Sequence, residues 1–138
     1  MSGVLKISEA ASLALHAVVH LAANHCRLVS TGEMASMLQV SEAHLSKVLQ
    51  RLAKQGLVRS IRGPKGGFML SKTGERVTLL DVYESIDGPL EPSNCLLKTP
   101  ICGGKKCVLG GLLDTVHRQV REYLAGTKLS QYIGEEKC

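Results

Sequence analysis

The sequence is poor in aromatic residues. It has no Trp, one Phe and three Tyr in 138 residues, so its core must be built from aliphatic side chains. It also lacks a long hydrophobic run. The most apolar window, ASLALHAVVHLAA at 11–23, is too short to cross a bilayer and is interrupted by His16 and His20. The N-terminal MSGVLKISEA has no basic-then-apolar leader layout, so a cytoplasmic location is expected. Internal repeats, low-complexity segments, a ferredoxin-type C-x-x-C-x-x-C run and a convincing nucleophile–base set are all missing. The glycines of RGPKGG do not stand between a strand and a helix, as a phosphate-binding loop requires. An enzyme is therefore not expected.

What is present is one ordinary domain's worth of chain, 44% hydrophobic and 21% charged, in the range of soluble globular proteins. The net charge of +5 is unevenly spread. From Arg27 to Lys72 there are eight Lys/Arg against two acids, a net +6; from Thr73 onward eight bases face nine acids. A basic block joined to a near-neutral one suggests a surface for a polyanion and a second part with another task.

Periodicity fills in the elements. ISEAASLALHAVVHLAANH carries apolar residues at helical spacing and predicts a first helix of four to five turns with Ser8 as its cap. STGEMASMLQ opens with Ser30 and Glu33 in capping-box spacing. VSEAHLSKVLQRLAKQGL opens at Ser41, aligns Leu45, Val48, Leu49 and Leu52 on one face, and stops at Gly56. This is a helix-turn-helix with a basic second helix. LVRSI, RGPKGG and FML then read as strand, turn and strand, a wing. VTLLDVYESI begins a further helix, with Thr78 three residues before Asp81. VLGGLLDTVHRQVREYLAG places Val108, Leu112, Leu113, Val116, Val120 and Leu124 at helical intervals. A stripe on so long a helix in so small a chain suggests burial against a second copy. The expected fold is mainly α, a winged helix-turn-helix with a long C-terminal dimerisation helix. Residues 1–75 would form the DNA-binding domain, and residues 76–138 a cysteine loop and dimerisation helix.

In such a unit the second helix enters the major groove with its N-terminal residues nearest the base edges. Here those are Ser41, Glu42, His44, Leu45 and Ser46. Glu42 suits a cytosine amino group, His44 and Ser46 suit bases or phosphates, and Lys47 and Arg51 suit phosphates. Arg62 and Lys65 sit on the wing, where an Arg can enter a narrow minor groove. Lys47, Arg51 and Lys54 could singly be the solvated face of an amphipathic helix. The order helix, turn, basic helix, basic glycine-rich hairpin is more specific, and double-stranded DNA is the expected partner.

Three of the five cysteines, Cys95, Cys102 and Cys107, crowd into NCLLKTPICGGKKC at 94–107. In a reducing compartment such thiols are metal ligands or redox groups more often than structural disulfides. Thiolates suit iron–sulfur clusters, zinc or copper(I), and Lys98, Lys105 and Lys106 would favour the deprotonated form. Zinc usually takes four ligands at tighter spacings, so a cluster is the preferred reading, ahead of a plain thiol switch and of zinc. Cys26, near the end of the first helix, reads as a small buried hydrophobe, and the terminal Cys138 as a stray thiol.

The stretch LSKVLQRLAKQGLVRSIRGPKGGFMLSK strongly resembles the winged-helix regulator family that includes IscR, NsrR, RirA and CymR. The resemblance extends through LLDVYESIDG, the cysteine loop and the terminal helix. It implies a homodimeric transcription regulator, mostly a repressor, acting on a palindromic operator. Many members hold an iron–sulfur cluster on three cysteines, whereas the CymR type lacks one. Carried over, Cys95, Cys102 and Cys107 match the three ligands, with a four-iron cluster expected and a two-iron cluster the alternative. The spacing departs from the family's, with six and then four intervening residues in place of five and five. The fourth ligand stays open: the position that carries a His in the IscR type is Gly110 here. Ser12 or His16 of a partner chain, water or an external thiol could take its place. The implied signal is redox state, nitric oxide or iron–sulfur status.

Overall fold

The computed structural model describes residues 7–90, 108–109 and 111–134. Its elements are α1 (Glu9–Ala23), α2 (Thr31–Leu38), α3 (Glu42–Lys54), β1 (Val58–Ile61), β2 (Gly67–Leu70), α4 (Leu79–Asp87) and α5 (Leu112–Gly126). The architecture is mainly helical with a two-stranded wing, as the sequence predicts.

Helix α1 is the central support, packed against α4, α3 and β2. Its N-terminus forms at Ser8, whose hydroxyl accepts the Ala11 N–H at 3.0 Å. Ala11, Ala14 and Ala17 are fully buried, and their small side chains let neighbouring helices approach closely. Ser30 caps α2 by accepting the Glu33 N–H at 3.1 Å. The expected reciprocal box does not close, because the Glu33 carboxylate faces Arg27 and His20 instead. The turn into α3 passes through Gln39 at φ 56, a left-handed residue ending α2.

Helix α3 is capped by Ser41, which accepts the His44 N–H at 3.1 Å. It ends at Gly56 (φ 78), where the Gly56 N–H bonds to Ala53 and the Leu57 N–H to Leu52, both at 3.0 Å. This is a Schellman motif, and the left-handed residue it needs is the reason for glycine. β1 and β2 pair antiparallel from Val58↔Leu70 to Ile61↔Gly67. Phe68 exchanges two backbone hydrogen bonds with Val29, at 2.9 and 2.8 Å, and so ties the wing to the start of the helix-turn-helix. Thr78 and Asp81 complete a capping box at α4. The chain leaving α5 returns to the start of α4 through Leu79 N–H to Thr127 O and Leu129 N–H to Val77 O.

The core is aliphatic, with Leu21, Met34, Leu45, Leu49, Leu52 and Leu129 among its largest fully buried side chains. It is one cluster that includes residues on both sides of position 75. Two expectations need correction. Val108 is 93% exposed in a turn ahead of α5, not on the helical stripe, because the helix begins only after Gly111. Cys26 is exposed in the turn after α1 and is disulfide-bonded.

Candidate nucleic-acid interface

A helix turns about 100° per residue, so the buried Leu45, Val48, Leu49 and Leu52 fix which arc of α3 faces out. The opposite arc carries Ala43, Ser46, Lys47, Gln50 and Lys54, all exposed except the half-buried Ser46. Of the predicted residues, Lys47 and Ser46 lie on this outward arc. Ser41 and Glu42 stand exposed at its N-terminal end. The Glu42 carboxylate lies over the first turn of α2, so close that a Cβ on Gly32 would come within 3.1 Å of its Oε1. The unsatisfied N–H groups at that helix start favour a negative charge. Leu45 is fully buried and belongs to the core.

His44 and Arg51 lie on the flank of α3 between the core arc and the outward arc. His44 is half-buried. Arg51 reaches sideways and donates from Nη2 to the Ile86 carbonyl at 2.6 Å.

Arg62 and Lys65 stand exposed at the wing tip, with Gly63 and Pro64 between them. The tip is tight: a Cβ on Gly66 would fall 2.1 Å from the Ile61 carbonyl oxygen. A cleft of about 480 Å³ runs between α3 and the wing, lined by Gln50, Ala53, Lys54, Ser60, Arg62 and Phe68. Gln50, Lys54 and Ser60 are thus brought beside Arg62; the sequence weighs Lys54 only as one of the basic residues of α3 and gives Gln50 and Ser60 no role. Projecting α3 as a wheel opposite its four buried residues would have found Gln50 and Lys54. Ser60 depends on the hairpin register and had no such signal.

Apart from Glu42 at the N-terminal end of α3, the charged side chains of this face are cations. Lys47, Lys54, Arg59, Arg62 and Lys65 take part in none of the ion pairs found among the described residues. Those pairs lie elsewhere: Arg27 and His20 on Glu33, and Arg118 on Asp114. The Arg27 guanidinium hydrogen-bonded to Glu33 holds that carboxyl below its ordinary value, with His20 adding to the effect. Burial, with Asp87 and Glu84 nearby, pushes the Tyr83 hydroxyl up.

The second candidate site is only framed. Cys95, Cys102, Cys107 and Cys138 lie outside the described residues. Among the described residues no group of three or more His, Cys, Asp or Glu is placed to hold a metal. Ser12 is half-buried and His16 exposed. His16 Nδ1 stands 2.7 Å from the Ser12 carbonyl oxygen. A carbonyl can only accept, so Nδ1 carries the proton and Nε2 keeps its lone pair when the ring is neutral. His20, by contrast, is turned to Glu33. Beside Leu90 a cavity of about 360 Å³ is lined by Asp114, His117, Arg118 and Arg121. No helix among the described residues is long and apolar enough to cross a membrane.

Known proteins are similar in sequence and in geometry. An HTH-type transcriptional regulator of Aquifex aeolicus is 30% identical over 133 residues, covering 94% of this chain and 92% of that protein. IscR of Xenorhabdus nematophila is 25% identical over 109 residues, covering 79% of this chain and 66% of that protein. Among solved structures, CymR, the global cysteine regulator of B. subtilis, superposes with a TM-score of 0.73 at 27% identity, covering 93% of this chain and 98% of that one. T. potens IscR shares the fold, with a TM-score of 0.65 at 24% identity over 91% of this chain and 84% of that one. The profile of the Rrf2 family, described as iron-dependent transcriptional regulators, matches residues 7–135. The chain is a winged-helix DNA-binding protein and not an enzyme, and it belongs to the Rrf2 family of transcriptional regulators.

Proposed function

We propose that the protein is a cytoplasmic, dimeric repressor that reads a palindromic operator and responds to redox state, nitric oxide or iron–sulfur status. The observation that carries the DNA-reading half is the unpaired cationic surface formed by α3 and the wing. Residues 1–75 act as the reading part and residues 76–138 as the sensing and pairing part. Lys47 binds phosphate, with Lys54 beside it. Ser41, Glu42, His44 and Ser46 meet the groove edges, and Arg62 and Lys65 extend from the wing. Two such units must present α3 about 34 Å apart, one turn of DNA, to read both half-sites.

The sensing half rests on donor chemistry. Three soft sulfur donors within thirteen residues, Cys95, Cys102 and Cys107, suit an iron–sulfur cluster. Asp114, His117, Arg118 and Arg121 line the cavity beside Leu90, the last described residue before the cysteine segment; Arg118 is paired with Asp114, which leaves Arg121 as the cation that would offset the charge of thiolates and cluster. Cys95, Cys102 and Cys107 would hold such a cluster, four-iron in preference to two-iron, and would leave one iron to take an exchangeable fourth ligand. His16 of a partner chain, with its bare Nε2, fits that role better than Ser12. The family's description as iron-dependent supports the same reading.

The test is the visible absorption of anaerobically purified protein, with iron and acid-labile sulfide counted per chain. A broad band bleached by nitric oxide or air, and lost with the iron in Cys102→Ala, is the expected result. Full iron content in that variant would sink the ligand assignment. A second reading, a cluster-free regulator governed by thiol oxidation, is favoured by one observation, the likeness to CymR, the global cysteine regulator of B. subtilis. Colourless wild-type protein that takes up no cluster on reconstitution, yet loses DNA binding with thiol oxidants, would establish it.

A further inference from the structure

The charge pattern of α3 assigns Arg51 to a DNA phosphate, but the fold uses it differently. Arg51 stands about 70° around the helix from the middle of the outward arc, on the side that packs against α4. Its guanidinium donates to the carbonyl of Ile86 at 2.6 Å. Ile86 lies in the last turn of α4, where carbonyls have no partner within the helix. A cation there satisfies an orphan acceptor and complements the negative end of the helix dipole.

The same end of α4 is gripped from two other directions. Asp87 accepts the backbone N–H of Ser8 at 3.1 Å and also the Ser8 hydroxyl, so the start of α1 is fastened to it. Three residues on, the Leu90 carbonyl accepts from Arg121 of α5 at 3.0 Å. Residues 86–90 are therefore a junction where α1, α3 and α5 each hold the chain just before the cysteine segment begins. Arg51 is the member of that junction supplied by the recognition helix.

We infer that Arg51 is a positioning residue for DNA recognition: through Ile86 it sets the orientation of α3 on the body of the subunit, and it does not bind phosphate. The inference rests on the reading that α3 and the wing dock on DNA. The two ideas differ in what they do to salt dependence. Removing one phosphate-binding side chain takes about 0.9 from the slope of log affinity against log salt and weakens binding to every sequence alike. A misaligned recognition helix forfeits its grip on the base edges and leaves the electrostatic part intact.

The experiment compares wild type, Arg51→Met, Arg51→Lys, Lys47→Ala and Arg62→Ala. Each full-length variant, prepared in the same anaerobic state, is titrated across a salt series. The probes are a duplex selected in vitro by the wild-type protein and a scrambled duplex of equal length. Arg51→Met should lower the ratio of selected to scrambled affinity by about tenfold, the scale of one mismatched base pair, with the salt slope unchanged. Arg51→Lys, which keeps the charge and one donor, should fall between Met and wild type, and it carries the test if the Met variant does not fold. A uniform loss on both duplexes with a slope shallower by about 0.9 would overturn the inference, as would an unaltered ratio in both variants. Lys47→Ala and Arg62→Ala report separately on docking: if neither weakens binding to either duplex, the docking surface is wrong whatever Arg51 does.

Discussion

Glu33 follows Ser30 at capping-box spacing, yet its carboxylate leaves the helix start. Arg27 offers two parallel N–H groups, at 3.1 and 3.0 Å, and a charged bidentate pair outcompetes a neutral backbone donor. The carboxyl's value is lowered by Arg27 first and His20 next, so its contribution to stability is fully present above the ordinary value of about 4.5 and is lost as pH falls through the lowered one. Both partners are largely exposed, at 50% and 43%, and solvent screening keeps the contribution small. Glu33→Gln should therefore cost no more than about 1 kcal/mol at neutral pH and low salt. Urea melts should show that difference shrinking in high salt and below pH 4.5; a penalty that is independent of both would mean the ion pair is not its source. The cap at Ser30 was legible in the sequence because it is local. The Arg27 pair was not, because it depends on how the chain turns between α1 and α2.

At the scale of elements, the wing is the clearest case of local chemistry dictating form. Gly63, at φ 118, and Gly66, whose Cβ would strike the Ile61 carbonyl, leave the turn almost no other residues to use. Gly66→Ala should open the hairpin and displace Arg62 and Lys65. DNA affinity should fall at least tenfold, about the scale of removing one wing side chain from the groove, while the helical circular dichroism stays at the wild-type level. Wild-type affinity in this variant would remove the wing from the binding surface. The anchoring of β2 on Val29 had no sequence signal, since that pairing joins segments far apart in the chain. The start of α5 was illegible for a related reason. Val108 fits the helical period, but glycine is a poor helix former, and the chain enters α5 only after Gly111.

At the scale of the molecule, α5 divides its surface among three tasks. Leu113 and Leu124 face the core, Arg118 and Arg121 line the cavity by Leu90, and Leu112, Val116 and Tyr123 form a further stripe. Leu112 and Tyr123 are 52% and 63% exposed. An apolar stripe on this long C-terminal helix is the surface we assign to a second copy. Leu112→Glu combined with Tyr123→Glu should leave a folded monomer by light scattering. Its affinity for the selected duplex should drop by about a hundredfold or more, because only one half-site can then be read. A dimer of undiminished affinity would place the pairing surface elsewhere.

The sequence by itself determined the helices apart from the start of α5, their caps at Ser8, Ser30, Ser41 and Thr78, the wing turn and the aliphatic core. All of these are set by interactions within a few residues or by a simple repeat of apolar positions. It also determined that α3 is basic. Tertiary structure decided which of those exposed basic residues have a partner within the chain. Lys47 and Lys54 project outward, whereas Arg51 is drawn to the end of α4, because a carbonyl thirty-five residues away in the chain needs a donor. No local rule reveals that need; it arises only when α3 and α4 are packed side by side.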